Sequence, residues 1–304
     1  MSSFFLVQHR EEQKREGVNM VKCIAIDMDG TLLNQNHVVS KQNADAIKLA
    51  QQNGIEVVIA TGRSYTEAIP VLQEVGIETP IICVNGAEVR TKSGEVTSYT
   101  PLKNEEVKEI VSVLNKHNIY FEVYTKSGTY SSDYDKALAT IIDIFSSANK
   151  EQQYEQIVQA AKERFTEGHI QIVDSYDTLL ENEETIVYKL LAFSLDSTNL
   201  ENARAELKAM EKVAVSASGK ENMEITNVEA QKGIALTMFT SERNISMADT
   251  MAIGDNFNDI SMLKLAGHSF AMGNAPDEVK QTAKYVTETN INSGVAKAIL
   301  SVLT

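Results

Sequence analysis

The sequence predicts an α/β protein: a doubly wound parallel sheet carrying an α+β insertion. Apolar runs of strand length recur near residues 24–26, 55–60, 80–84 and 251–253. Each adjoins a polar residue and a glycine, at Asp27-Met28-Asp29-Gly30, Thr61-Gly62, Asn85-Gly86 and Gly254-Asp255, and helical periods separate the first three. Strands alternating with helices read as parallel crossovers, and continuous apolar runs belong to a sheet covered on both faces. The texture changes between residues 101 and 227, where strands and helices alternate without those glycine motifs. That stretch is expected to be a separate unit inserted into the parallel one.

Residues 1–20 carry the charge run Arg10-Glu11-Glu12-Gln13-Lys14-Arg15-Glu16 and no amphipathic period. They are expected to be a leader, either a disordered tail or an artefact of the assigned start, with Met20 as the natural first residue. After the first strand, Ser40 is expected to cap a helix through residue 53, with Ala44, Ile47 and Ala50 inward and Gly54 as its stop. The β-branched run 55–60 follows, then a helix over 66–75 whose Pro70 predicts a kink or a late start. Strand 80–84 completes this half.

In the insertion, Asn104 is expected to cap a helix whose Val107, Ile110, Val111 and Leu114 share one face. A strand over 119–124, a turn at Ser127-Gly128 and one or two helices within 133–182 come next. Strand 186–194 and a helix over 199–211 follow. Two short strands flanking Ser218-Gly219-Lys220 read as a hairpin. A helix from residue 231, strand 251–253, a short helix ending at Gly267 and strand 269–272 resume the parallel pattern. An edge strand at 285–287 and a helix over 293–303 close it.

Composition narrows the partners. A chain of 304 residues suits two units. A net charge of −14 argues against nucleic acid or an anionic membrane as partner. It also means that a phosphorylated ligand must be held by a local site. Cys23 and Cys83 fall in apolar strands, as small hydrophobes of a reducing cytoplasm do. With five scattered histidines they assemble no zinc spacing. No apolar run approaches membrane-spanning length and no secretory signal is visible, so a cytoplasmic location is expected.

Asp27 and Asp29 lie two apart at a strand end, so they start on one side of the chain before Gly30 lets it turn. Such carboxylates repel unless a cation sits between them or one keeps its proton. In a doubly wound sheet, strand C-termini share the ligand-binding edge. That edge would gather Asp27/Asp29, Thr61, Lys232 and Asp255/Asp259. Carboxylates grouped there suit Mg²⁺ together with a substrate phosphate. Lys232 and Thr61 supply the charge and hydrogen bond that a phosphoryl group needs. Phosphoryl transfer requires an in-line nucleophile, neutralised equatorial oxygens and a proton donor for the leaving group, and this set holds each. Singly the signals are weak: Lys232 reads as a solvated helix lysine, Arg63 as a loop anchor and Asn274 as a turn residue.

The ordered set Asp27-Met28-Asp29-Gly30-Thr31-Leu32, Thr61-Gly62-Arg63, Lys232 and Gly254-Asp255-Asn256-Phe257-Asn258-Asp259 resembles the haloacid dehalogenase superfamily of phosphatases. The insertion, Asn85-Gly86-Ala87 and Met272-Gly273-Asn274-Ala275 resemble its Cof-type branch (class IIB, C2 cap). The resemblance covers residues 21–304. It implies a Rossmann-like core over 21–100 and 228–304, a mobile C2-type α+β cap over 101–227, Mg²⁺, and hydrolysis of a small phosphomonoester such as a sugar phosphate. By position it implies that Asp27 attacks phosphorus and forms an aspartyl-phosphate. Asp29 would protonate the leaving oxygen and then deprotonate water, an acid role that needs a raised pKa beside other carboxylates. Thr61, Gly62, Arg63, Asn85, Lys232 and Asn258 would surround phosphate or substrate. The metal would be held by Asp27, the backbone carbonyl of Asp29, Asp255 and, directly or through water, Asp259. A small phosphorylated metabolite is the expected partner, and a monomer or weak homo-oligomer the expected state.

A phosphosugar mutase on the same core fits the same motifs. A non-catalytic phospho-acceptor module also uses Asp, Thr and Lys around Mg²⁺, but Asp29 would hydrolyse the phospho-aspartate that such a module must keep. A dehalogenase has no leaving oxygen to protonate. Within the insertion, Tyr124, Tyr130 and Lys189 are polar residues that could face the site.

Overall fold

The computed structural model describes residues 20–148, 154–166, 170–182, 184–217 and 221–303. The expectations for residues 1–19 and for the Ser218-Gly219-Lys220 turn lie outside these residues. In chain order, β1 (Cys23–Ile26), β2 (Glu56–Ala60) and β3 (Ile81–Cys83) run parallel. The chain then doubles back through β4 (Glu88–Arg90) and β5 (Val96–Tyr99), which pair antiparallel.

A second sheet follows, from β6 (Tyr120–Thr125), β7 (Gly128–Ser131), β8 (Gln171–Ile172), β9 (Val187–Phe193), β10 (Val213–Ser216) and β11 (Asn222–Asn227). The return strands β12 (Thr250–Gly254), β13 (His268–Ala271) and β14 (Tyr285–Val286) complete the first sheet, in the order β14-β13-β12-β1-β2-β3-β4-β5. The doubly wound parallel core is as expected. The antiparallel extension β4–β5 was not foreseen, because strands this short carry too few residues for a readable pattern.

Period-two alternation explains how the first sheet is covered. Ile24, Ile26, Val57, Ile59, Met251 and Ile253 point to one face, where Ile47 and Ile299 pack from helices Lys41–Gln52 and Gly294–Leu303. Smaller Cys23, Ala25, Ala60 and Ala252 point to the other, against helices Lys232–Ser241 and Ile260–Leu265. Full burial of each large aliphatic side chain contributes about 1.5–3 kcal/mol. Gly233 lets the last two helices touch: a Cβ there would lie 2.5 Å from the Ser261 backbone. This contact sets Lys232 beside the 257–259 turn. Cys23 and Cys83 are buried free thiols, and burial pushes the Cys23 thiol up to about 12.

The second sheet, ordered β10-β11-β9-β6-β7-β8, is two-sided in character. Phe121, Val123, Leu190, Ala192, Met223 and Ile225 form an apolar face with helices Asn104–Lys116 and Ser197–Lys208. The opposite face carries Glu122, Tyr124, Lys189 and Glu224, from the alternate positions of the same paired strands. The first helix of the insertion starts differently from expectation. Lys103 occupies the cap position and Asn104 is already helical, because the Glu106 carboxylate accepts the Lys103 amide at 2.9 Å. Pro70 is carried inside helix Tyr65–Glu74, which starts early after Ser64 rather than late. No helix among the described residues is long and apolar enough to cross a membrane.

Candidate active site

Sheet order puts the site at a topological switch point. From β1 the chain winds outward through β2 and β3, then returns on the other side through β12, so β1 and β12 are neighbours whose crossovers diverge. The crevice outside their C-terminal ends is where such sheets bind ligands. Asp27 leaves β1 there, its amide still donating to Ile253 at 3.0 Å, and Asp255 leaves β12 beside it. Gly30 turns the chain with φ +78°, and a Cβ at this position would stand 2.3 Å from an Asp255 carboxylate oxygen. Only glycine satisfies both the backbone and the space.

Lys232 is the centre of the charge arrangement. It is 0% exposed and donates to Asp27 Oδ1 at 2.6 Å and to Asp259 Oδ1 at 2.7 Å. Asp259 is engaged further: its Oδ2 accepts the backbone amides of Asp255 at 2.9 Å and Asn256 at 3.0 Å. Asp259 therefore shapes the turn that carries Asp255. Asp255 Oδ1 accepts the Thr31 hydroxyl at 2.8 Å. One oxygen from each of Asp27, Asp255 and Asp259 lies within 4.8 Å of the others, an all-oxygen donor set of the kind that hard cations prefer.

The electrostatics follow from this crowding. Burial first, then the Asp259 and Asp255 charges, push the Asp27 carboxyl well above its usual range despite Lys232. Burial and Asp259 likewise raise Asp255 to about 6 against the Thr31 hydrogen bond. Burial opposes the charge on Lys232, but Asp259 and Asp27 outweigh it and hold the ammonium above the usual lysine range.

Asp29 behaves in the opposite way to expectation. Burial works to raise its carboxyl, but the hydrogen bonds and charge of Arg63, with His37 nearby, outweigh it and leave it well below the usual range. The reason is geometric: Arg63 Nη2 and Nε grip its two oxygens at 2.6 and 2.7 Å, and His37 stands 3.9 Å away. Arg63, expected at phosphate or substrate, is here the partner of Asp29.

The remaining expected residues converge on the same edge and bond to one another or to its loops. The Thr61 hydroxyl is buried and accepts the Arg63 amide at 3.1 Å. Asn85 takes the left-handed φ of 58° and accepts Asn258 Nδ2 on its Oδ1 at 3.0 Å. A cavity of about 480 Å³ opens over Asp27, Asp29, Gly62, Arg63, Asp255 and Asn258, and is closed from the second sheet by Tyr124, Lys189, Leu191 and Glu224. Tyr124 and Lys189 thus face the site. Tyr130 does not line it, because it pairs with Val123 on the other face of the sheet.

Sequence reasoning missed Glu224, Thr31 and Asn274. The alternation Met223-Glu224-Ile225 was a usable signal for the first. Asn274 was marked by the Met272-Gly273-Asn274-Ala275 motif but read as a turn residue; its Nδ2 donates to the Gly30 carbonyl at 2.8 Å across the sheet edge.

Comparison with known proteins agrees with this geometry. The family model of the haloacid dehalogenase-like hydrolases matches residues 24–299, and the chain belongs to that family. Among curated relatives it is similar to phosphatase YwpJ of Bacillus subtilis, 36% identical over 278 residues covering 91% of this chain and 98% of the relative. It is also similar to the 5-amino-6-(5-phospho-D-ribitylamino)uracil phosphatase YwtE of the same organism, 40% identical over 277 residues covering 91% and 96%. A solved haloacid dehalogenase-like hydrolase from B. subtilis superposes with a TM-score of 0.82 at 35% identity, covering 92% of this chain and 99% of that one.

Proposed function

We propose that the chain is a Mg²⁺-dependent phosphatase that hydrolyses small phosphomonoesters of sugar or polyol type through an aspartyl-phosphate on Asp27. The observation that carries this reading is Lys232, buried against Asp27 at the edge of a cavity that also presents Asp29 and Asp255. The phosphatases among its relatives support the reaction. The ribityl group in the name of one of them supports a polyhydroxylated leaving group.

In this mechanism an Asp27 oxygen attacks phosphorus while the ester oxygen leaves with a proton from Asp29. Asp29 then takes a proton from water, which displaces Asp27 and releases phosphate. Lys232 holds Asp27 in place and offsets its negative charge and that of the phosphoryl group. Asp29 is an anion while Arg63 grips it, so acid catalysis requires that grip to loosen. A phosphoryl dianion in the cavity is a competing partner for the guanidinium, since arginine binds carboxylate and phosphate in the same bidentate way. Residues 101–227 act as a cap, with the polar face of their sheet over the site.

The donor set fits Mg²⁺. Asp27, Asp255 and the Asp29 backbone carbonyl would hold the ion, with Asp259 fixing the Asp255 turn. When bound, it supplies positive charge against the phosphoryl oxygens.

Removing metal with EDTA is expected to abolish turnover, and thermal unfolding gives an independent check. Raised carboxyls favour the folded metal-free protein at low pH, and that contribution is lost as pH rises through about 6, the value for Asp255. Mg²⁺ requires the ionised carboxylates, so it competes with protons. The gain in melting temperature on adding Mg²⁺ should therefore be larger near pH ~7.5 than near pH ~5. Equal gains at both pH values, or none at the higher, would contradict the metal assignment.

A further inference from the structure

The second sheet does more than cover the cavity. Its central strands bond directly to the two loops that flank the proposed phosphoryl position. Lys189 on β9 and Glu224 on β11 are 3% and 5% exposed, and both face the cavity. Lys189 Nζ donates to the Gly62 carbonyl at 3.0 Å and lies 3.4 Å from Glu224 Oε2. The same Glu224 oxygen accepts Asn85 Nδ2 at 2.5 Å. Asn85 Oδ1 in turn accepts Asn258 Nδ2, and Asn258 sits between Asp255 and Asp259. A continuous chain of hydrogen bonds thus runs from the inserted sheet, through the Asn85 turn, to the turn carrying the carboxylates.

Each link has a direction. A carboxylate only accepts and an ammonium only donates. Glu224 therefore fixes which end of the Asn85 amide faces the inserted sheet, and so delivers Oδ1 to Asn258. Lys189 draws the Gly62 carbonyl toward the inserted sheet. A buried ion pair is weak evidence for stability, since well-packed apolar side chains often serve as well. What an apolar pair cannot do is orient an amide or a carbonyl.

We infer that Lys189 and Glu224 are positioning residues for the proposed phosphoryl transfer. They hold the Gly62 and Asn85 loops in register with the Asp255–Asp259 turn, and they act on the phosphoryl end of every substrate rather than on its leaving group. This inference rests on the phosphatase reading, and the test separates the two.

Full-length Glu224→Ala, Glu224→Gln, Lys189→Met and the Asn85→Ala/Glu224→Ala pair are compared with wild type and Asn85→Ala. Turnover is measured on a sugar phosphate and on an aryl phosphate. Displaced reacting groups cost up to about 100-fold, so Glu224→Ala should lose roughly 10- to 100-fold in kcat. Lys189→Met should also fall, and each variant by the same factor on both substrates. Glu224→Gln keeps an acceptor for Asn85 at nearly the same volume and should recover most of the loss. Because the residues act as one chain, adding Glu224→Ala to Asn85→Ala should cost little more than Asn85→Ala alone.

Amide hydrogen exchange gives a readout that needs no turnover. It should quicken in Glu224→Ala at the loops around residues 62, 85 and 256–258, and stay unchanged in the strands of the inserted sheet. Losses confined to the sugar phosphate, additive losses in the pair, a Gln variant as poor as Ala, or unchanged exchange at those loops would each overturn the inference. A wild type that turns over no phosphomonoester, with exchange responding as described, would instead overturn the phosphatase reading alone.

Discussion

Asp27→Asn should yield a protein without activity that melts, in EDTA, at or above the wild-type temperature. The activity loss follows from the nucleophile: an amide oxygen does not attack phosphorus, and removal of such a group costs on the order of 10⁴-fold or more. The stability gain follows from the site's electrostatics. The Asp27 carboxyl is pushed up by burial and by Asp259 and Asp255, so its ionised form is unfavourable in the folded metal-free state. Asparagine removes that charge yet keeps an oxygen for the 2.6 Å bond from Lys232. Function and stability are opposed at this residue, as they often are where an active site concentrates like charge. A melting temperature clearly below wild type would show that Asp27 serves the fold as well.

Lys232→Met should lose activity too, but with the opposite effect on stability. Methionine fills a similar volume and leaves Asp27 and Asp259 buried without the cation that each touches within 2.7 Å. Removing one partner from a buried ion cluster costs about 3–5 kcal/mol. At roughly 2–4 °C per kcal/mol for a domain of this size, the melting temperature should fall by about 6–20 °C. Part of the loss should be recovered at low pH, where the abandoned Asp27 carboxylate protonates, or by adding Asp27→Asn to the same chain. Calorimetry of the two single variants and the double variant in EDTA checks the sign of each effect. A Lys232→Met protein as stable as wild type would mean that the ammonium does not offset the carboxylates as described.

The contrast between these two neighbours shows what was legible in the sequence and what was not. The strand before Asp27 was readable because a parallel strand covered on both faces leaves an uninterrupted apolar run. The positions of Asp27, Thr61, Lys232 and Asp255 at one edge followed from sheet topology, which the strand–helix alternation implied. Bond partners were another matter. Lys232 opens a helix whose own pattern gives no reason for a buried ammonium; its partners lie 205 and 27 residues away.

The charge state of Asp29 depends on Arg63, 34 residues further along the chain, and pattern reasoning looked instead to the nearby carboxylates. Four strands of the second sheet were legible, β7 and β8 were not, and the sheet was not legible as a surface. Alternation placed Glu224 opposite Met223 and Ile225, yet nothing local said that its face would meet the Asn85 turn. The antiparallel strands β4 and β5 were too short to register at all.

The central claim is covalent catalysis by Asp27 with Asp29 as acid and base, and Asp29→Asn tests it most directly. This variant keeps the nucleophile, nearly the same volume and the backbone carbonyl, and removes the proton traffic together with one of the two oxygens that Arg63 grips. General acid–base assistance is typically worth about 10²–10⁴-fold, so release of phosphate from a sugar phosphate should fall by that order. An aryl phosphate, whose leaving group departs without protonation, should still phosphorylate Asp27. Without a base to activate water, the intermediate should then accumulate as a mass increase of one phosphoryl group on the intact chain. Wild type should show no such accumulation. A wild type that holds a stable phospho-aspartate, unchanged by Asp29→Asn, would instead identify a phospho-acceptor module and contradict the account.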